Sequence, residues 1–179
     1  MSASGRERAV RRRAGERGLS AIETAIGVSI VGSLLAIAIP TFARNLHVTY
    51  YAEATTGLSR LSDNAVTRAQ RRPTPDAFPR SAPITPSPPP RGRKEADPPG
   101  TWAHPTWVAL DFQATPDGTP HAFSYGFDSR LGDDESSFVA HAHADLDGDG
   151  ETSTIETRGR ARDGVAVREP GITVFRELE

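Results

Sequence analysis

Hydrophobic residues fall along this chain in three successive patterns. From Thr24 to Ala43, TAIGVSIVGSLLAIAIPTFA, twenty residues pass without a charge. As a helix these span about 30 Å, one hydrocarbon thickness. Leu46, Tyr50, Ala54, Leu58, Leu61 and Ala65 then follow at spacings of 4, 4, 4, 3 and 4, one apolar stripe on an amphipathic helix. Glu53, Ser59, Arg60, Asp63 and Arg68 fill much of the rest of that surface. Together the two stretches predict one helix from about Ser20 to Gln70, apolar all round in its first half and sticky on one face in its second. Gly57 is a weak point within it, and Pro73 is a firm terminator.

From Thr101 onward the period changes to two. The runs 107–113, 121–128, 137–144, 152–159, 165–169 and 172–178 read as short strands. PDGTP, SRLGDDE, DGDG, ARDG and EPG between them are strong turn signals. Tight turns between adjacent strands predict an antiparallel sheet of four or five strands. Trp107, Leu110, Phe112, Phe123, Tyr125, Phe127, Phe138 and Val174 are its candidate core, although alternation cannot point all of them inward. A core this small needs cover, which the stripe of Leu46, Tyr50, Leu58 and Leu61 supplies. The fold class is therefore α+β: a long N-terminal helix, with a membrane-spanning half and an amphipathic half, packed against a C-terminal antiparallel sheet.

Between helix and sheet, residues 71–100 hold ten of the fifteen prolines. With few large apolar side chains, this stretch reads as an extended surface loop that buries no core. The segments are then 1–18, a basic leader; 19–43, the apolar helix; 44–72, its amphipathic continuation; 73–100, the Pro-rich loop; and 101–179, the sheet.

Charge sharpens the first boundary. The net charge of -2 hides an asymmetry: residues 1–18 carry six arginines against Glu7 and Glu16, and the remainder carries 15 basic and 21 acidic side chains. Positive residues stay on the cytoplasmic side of a membrane, so the acidic body belongs outside. An acidic body also argues against nucleic acid as the main partner. The chain has no cysteine, which excludes disulfides, thiol catalysis and Cys-based zinc sites. No Ser-His-Asp order, phosphate loop or catalytic carboxylate pair can be assembled, so no enzyme is expected.

The apolar segment carries more than a plain anchor needs. Glu23 sits just inside its start, where an unpaired carboxylate is costly near mid-bilayer. Ala21, Ala25, Ser29 and Ser33 form a small-residue row that lets helices approach closely. Pro40 near the far end removes one backbone hydrogen bond. RGLSAIETAIGVSIVGSLLAIAIP, residues 17–40, resembles the amino-terminal segment of type IV pilins and of the pseudopilins of type II secretion. The shared features are a short basic leader ending in Gly18, an apolar first mature residue (Leu19), Glu23 as the fifth, and Pro40 near the end of the helix. Leu19 in place of the commoner Phe and Thr24 in place of an aliphatic residue are departures from that pattern.

The resemblance implies that a prepilin peptidase cuts between Gly18 and Leu19 and methylates the new amine, which keeps its charge. It implies self-association through the N-terminal helix, with Glu23 of one subunit neutralised by the Leu19 amine of a neighbour and Pro40 loosening the helix during assembly. It also implies an inner-membrane, single-pass precursor with a cytoplasmic N-terminus, and then a surface pilus or a periplasmic pseudopilus. The competing reading is a secretory signal peptide ending at Ala36-Ile37-Ala38. Glu23 and the helix beyond Pro40 count against it.

Two polar clusters remain in the sheet region. His141 and His143 lie two apart and share one strand face. Such a pair can bind zinc or copper, but no third soft ligand lies nearby, and polar flanks predict a solvent-facing pair. Asp145, Asp147, Asp149, Gly150 and Glu156 match the calcium-loop pattern D-x-[DN]-x-[DN]-G-x5-E, with Glu151 adding a further carboxylate. Hard Ca²⁺ wants six to eight oxygens, and Gly150 supplies the sharp turn. The flanks read as strands, so an EF-hand fold is not expected. A plain Asp/Gly hairpin turn is the alternative.

Overall fold

The computed structural model describes residues 19–175, with side chains described throughout except at 43–47. The leader, Gly18, the side chain of Leu46 and the end of the last predicted strand lie outside the described residues. The fold is α+β, and the chain divides into two compact units, residues 1–43 and 44–179. Helix α1 (Ala21–Ala69) contributes its first half to one unit and its second half to the other.

In the first unit, residues 21–42 form a helix long and apolar enough to cross a membrane, with none of its apolar window buried. Its hydroxyls bond back to their own helix. Ser29 Oγ donates to the Ala25 carbonyl and Ser33 Oγ to the Ser29 carbonyl, both at 2.8 Å, and Thr41 Oγ1 donates to the Ile37 carbonyl at 2.9 Å. The polar atoms are thus satisfied locally and the surface stays apolar. Pro40 lies within the helix.

In the second unit, the rest of α1 lies against an antiparallel sheet of six strands. These are β1 (Ala82–Thr85), β2 (Ser124–Arg130), β3 (Glu135–Ala144), β4 (Ser153–Arg162), β5 (Val165–Arg168) and β6 (Thr173–Phe175). The order is β1-β2-β3-β4-β5, and β6 also pairs with β4. Strand β5 faces residues 159–162 of β4, and β6 faces residues 154–156. A 3-10 turn (Thr74–Asp76) and a short helix α2 (Pro105–Ala109) complete the elements.

Ala54, Leu58, Leu61 and Ala65 are fully buried, so the predicted stripe is the face that meets the sheet. Tyr125 lies against this helix so closely that a Cβ at position 57 would collide with its hydroxyl oxygen. Gly57 is therefore a notch for the tyrosine, and its poor helix propensity is offset by that contact. Beside it, Phe112 packs edge-on against Tyr125 at 5.2 Å and against Trp102 at 5.6 Å, while Phe127 stacks on Phe138 at 5.2 Å.

Four expectations are corrected. Residues 107–113 are no strand: Pro105 opens α2 at a position where its missing N–H costs nothing, and the His104 side chain accepts from the Thr106 amide at 3.3 Å. Trp107 and Leu110, three apart, are buried as a helical pair. The Pro-rich segment does contribute to the core. Its Phe78 is fully buried with its ring 4.9 Å from Phe138, and β1 adds an edge strand to β2. An edge is where a sheet tolerates proline. The sheet consequently has six strands. Val174 is 38 % exposed, on a three-residue strand whose side chains are all exposed and which pairs only with residues 154–156 of β4.

Candidate functional site

The N-terminal segment begins with a local device that the residue pattern S-x-x-E at 20–23 encodes. Ser20 N–H donates to Glu23 Oε2 at 2.8 Å, and Glu23 N–H donates to Ser20 Oγ at 3.2 Å. This is a capping box, which satisfies two otherwise orphaned backbone donors at the helix start. Glu23 thus has a structural task within one chain besides the intersubunit one implied by the resemblance. Read only as a charge in an apolar helix, Glu23 does not reveal this box; the signal for it is the serine three residues before.

Leu19 is 78 % exposed, and Ile22, Ile26, Ile30, Leu34 and Ile37 are exposed beyond it. The small-residue row of Ala21, Ala25, Ser29 and Ser33 is exposed as well. Gly27 and Gly32 have nothing within 4 Å of an added Cβ. The whole surface is open to lipid or to other helices, and small residues on it permit close approach.

The second region is the turn between β3 and β4. It gathers carboxylate oxygens of Asp145, Asp147 and Asp149 within 4.8 Å of one another. Asp145 is buried, and its two oxygens accept from Gly148 N–H at 2.8 Å and Gly150 N–H at 3.1 Å. Asp147 accepts from the Asp149 amide at 3.1 Å, and Asp149 from the Glu151 amide at 2.7 Å. The backbone bends through positive φ at Gly148 (84°) and Gly150 (95°), which glycine alone adopts without strain. The Pro-rich segment closes on this turn: Gly92 N–H donates to the Asp145 carbonyl at 2.8 Å, and Arg91 Nε lies 3.9 Å from Asp145 Oδ2.

Three convergent carboxylates on a spacing below 5 Å fit a hard divalent cation with oxygen ligands. The other two residues of the candidate set are not gathered with them. Glu156 is on β4, opposite His141 and 3.3 Å from Arg158 Nη2. In an EF-hand a helix turns the twelfth residue back onto the ion. Here β4 starts at Ser153, and an extended strand carries Glu156 onward at about 3.3 Å per residue. Glu151 joins the turn through its amide, and its carboxylate is outside the gathered group.

His141 and His143 lie on the face of β3 opposite the buried Ala140, Ala142 and Ala144, and are half-buried there. Burial pushes both pKa values down. That of His143 falls to about 4, with the neighbouring His141 adding to the effect and Glu156 opposing it. Comparison with family models, curated proteins and solved structures finds no match.

Proposed function

We propose that this chain is a type IV pilin-like structural subunit. On this reading a prepilin peptidase cuts it between Gly18 and Leu19, and it then assembles by self-association into an extracellular or periplasmic filament. The contrast within α1 carries the reading. Residues 21–42 expose apolar side chains on every side, whereas Ala54, Leu58, Leu61 and Ala65 spend theirs on the chain's own sheet. The first surface needs lipid before assembly and other helices afterwards.

The basic leader places the N-terminus in the cytoplasm, and the inner membrane holds the precursor. In a filament, Glu23 exchanges part of its capping contact with Ser20 for the Leu19 amine of a neighbour. That pairing offsets the cost of a carboxylate in an apolar surround. The work of the protein is association, not turnover. A pseudopilin or a minor pilin would use the same residues for the same chemistry. Glu23→Ala is expected to give a membrane-inserted, processed subunit that is missing from sheared filaments, and normal incorporation would sink the proposal. Amino-terminal sequencing adds a second check. Leu19 fits this reading, Ile39 fits a signal peptide, and Met1 or Ser2 fits an uncut anchor.

The gathered Asp145, Asp147 and Asp149 favour a second reading, in which the turn binds Ca²⁺ and staples a body that has no disulfide. It suits a filament subunit or a single-helix-anchored envelope protein equally. Calcium should raise the unfolding midpoint of the chain over a chelator control. A midpoint unmoved by calcium and by Asp147→Ala leaves the loop as a turn held by Arg91 and glycine amides.

A further inference from the structure

The chain from Lys94 to Trp102 is fastened to the rest of the second unit around one buried histidine. His121 precedes β2 and is 1 % exposed. Its backbone shares two hydrogen bonds with Glu95: Glu95 N–H donates to the His121 carbonyl at 3.0 Å, and His121 N–H donates to the Glu95 carbonyl at 2.9 Å. Its ring stands between two oxygens. Nδ1 is 2.8 Å from the Phe123 carbonyl oxygen, and Nε2 is 2.8 Å from Asp97 Oδ2. Trp102 Nε1 donates to that same Oδ2 at 2.6 Å.

These partners fix the protonation of the ring. A peptide carbonyl only accepts, so the bond at Nδ1 needs a proton on Nδ1. An indole N–H only donates, which makes Asp97 Oδ2 an acceptor, and Nε2 must then bring a proton of its own. A neutral imidazole has one N–H and serves one of the two oxygens; at the other, lone pairs would face each other at 2.8 Å in a buried site. The imidazolium serves both. Among the described residues Asp97 is the one carboxylate bonded to the ring. The other charged groups around it are engaged elsewhere. Glu53 of α1 accepts from the Ala122 amide at 2.7 Å and pairs with Lys94, and Arg60 donates to the Gln113 and Ala114 carbonyls. Glu95 pairs with Arg93 at 2.8 Å. Burial pushes the Tyr125 phenol of β2 up, so it stays neutral.

We propose that His121 is a buried imidazolium paired with Asp97, and that its second proton is the latch that holds residues 94–102 against the sheet. The folded pair keeps a proton that the unfolded chain, with an imidazole titrating near pH 6.5, has largely given up by about pH 8. Folding therefore takes up a proton here. The latch contributes its full stability below about pH 6.5 and loses it as the pH rises and the folded pair gives up that proton. A ring with one proton keeps the Phe123 bond or the Asp97 bond, but not both. Asp97 is also the partner of Trp102, so the loss loosens both ends of the 97–102 stretch. The latch belongs to the folded body alone and is independent of filament assembly.

Imidazole ¹⁵N spectra of the full chain in detergent, with the histidine signals assigned through the backbone, read this proton directly. At about pH 7.5 an ordinary imidazole is roughly nine-tenths neutral. Both His121 nitrogens are expected to carry protons under that condition, and one bare nitrogen overturns the proposal. Urea unfolding followed by Trp fluorescence is the second arm. The midpoint is expected to fall between about pH 7 and about pH 9, and a midpoint that holds or rises over that range overturns the proposal. His141 and His143 do not enter it, because burial lowers both and leaves the folded rings neutral there. Asp97→Asn keeps an oxygen for the indole but no charge for the ring, and His121→Gln has no ring proton to lose. Each is expected to lower the midpoint at about pH 7 and to remove the fall. A folded variant of either kind that keeps the whole fall places the titration elsewhere and overturns the proposal.

Discussion

The two halves of α1 use similar side chains to opposite ends. Over residues 21–42, leucine, isoleucine and valine point outward all round and are more than half exposed. Over residues 50–69 the large apolar side chains keep largely to one face, and Leu58 and Leu61 are wholly buried. Glycine shows the same division: Gly32 faces open space, whereas Gly57 makes room for Tyr125. Helix formation is a local matter in both halves. What differs is whether the partner of the apolar surface lies within the same chain. One half completes a fold, and the other leaves an exposed apolar surface long enough to cross a membrane.

Truncations should expose that contrast most strongly. Leu61→Ala is expected to cost about 3 kcal/mol, because it removes buried methyl groups and leaves a cavity under the sheet. Leu34→Ala should leave the same transition unmoved. Urea unfolding of the full chain in detergent, followed through Trp102 and Trp107, measures both. Equal losses at the two positions would break the comparison.

The glycines give a smaller and more specific effect. Gly57→Ala is expected to destabilise by about 2 kcal/mol, since the new Cβ collides with the Tyr125 ring and overpacks a closed core. Gly32→Ala meets nothing within 4 Å and should leave stability unchanged or slightly raised through helix propensity. A stabilising Gly57→Ala would mean that the tyrosine does not rest on the helix.

At the helix start, Ser20→Ala is expected to cost about 1 kcal/mol of local stability, seen as faster amide exchange at Glu23. On the proposed pilin-like reading it should leave filament incorporation intact, whereas Glu23→Ala is expected to abolish it. If both variants fail equally in assembly, the role of Glu23 is the cap itself. The smallest effect belongs to Tyr125→Phe. Its hydroxyl reaches the Glu53 carbonyl only at 3.5 Å, so the loss should stay below about 0.5 kcal/mol in the same unfolding experiment.

What could be read from residue order follows from periods that a single element imposes on itself. An uncharged run of helical length, a stripe at spacings of three and four, and alternation over 137–144 and 152–159 report which side of an element is apolar. Helix α1, strands β3 and β4, and the burial of Leu58, Leu61 and Phe138 were legible for that reason. The S-x-x-E cap is written locally too, because its partners are three residues apart.

The tertiary structure decided whatever depends on a partner distant in sequence. Strand β1 exists because β2 offers it an edge, although prolines surround it. Trp107 turns inward from a one-turn helix because its indole N–H meets Thr85 Oγ1 at 3.0 Å, a partner 22 residues away. Gly57 and Gly126 look like weaknesses until Tyr125 and His141 arrive from other elements. Periodicity states that a surface is apolar or polar, but not what meets it. The calcium-loop spacing likewise specified where carboxylates stand along the chain, and β4 then carried Glu156 away from the three aspartates and set it opposite His141. Side chains are placed by the backbone on which they ride, and long-range pairing chose that backbone.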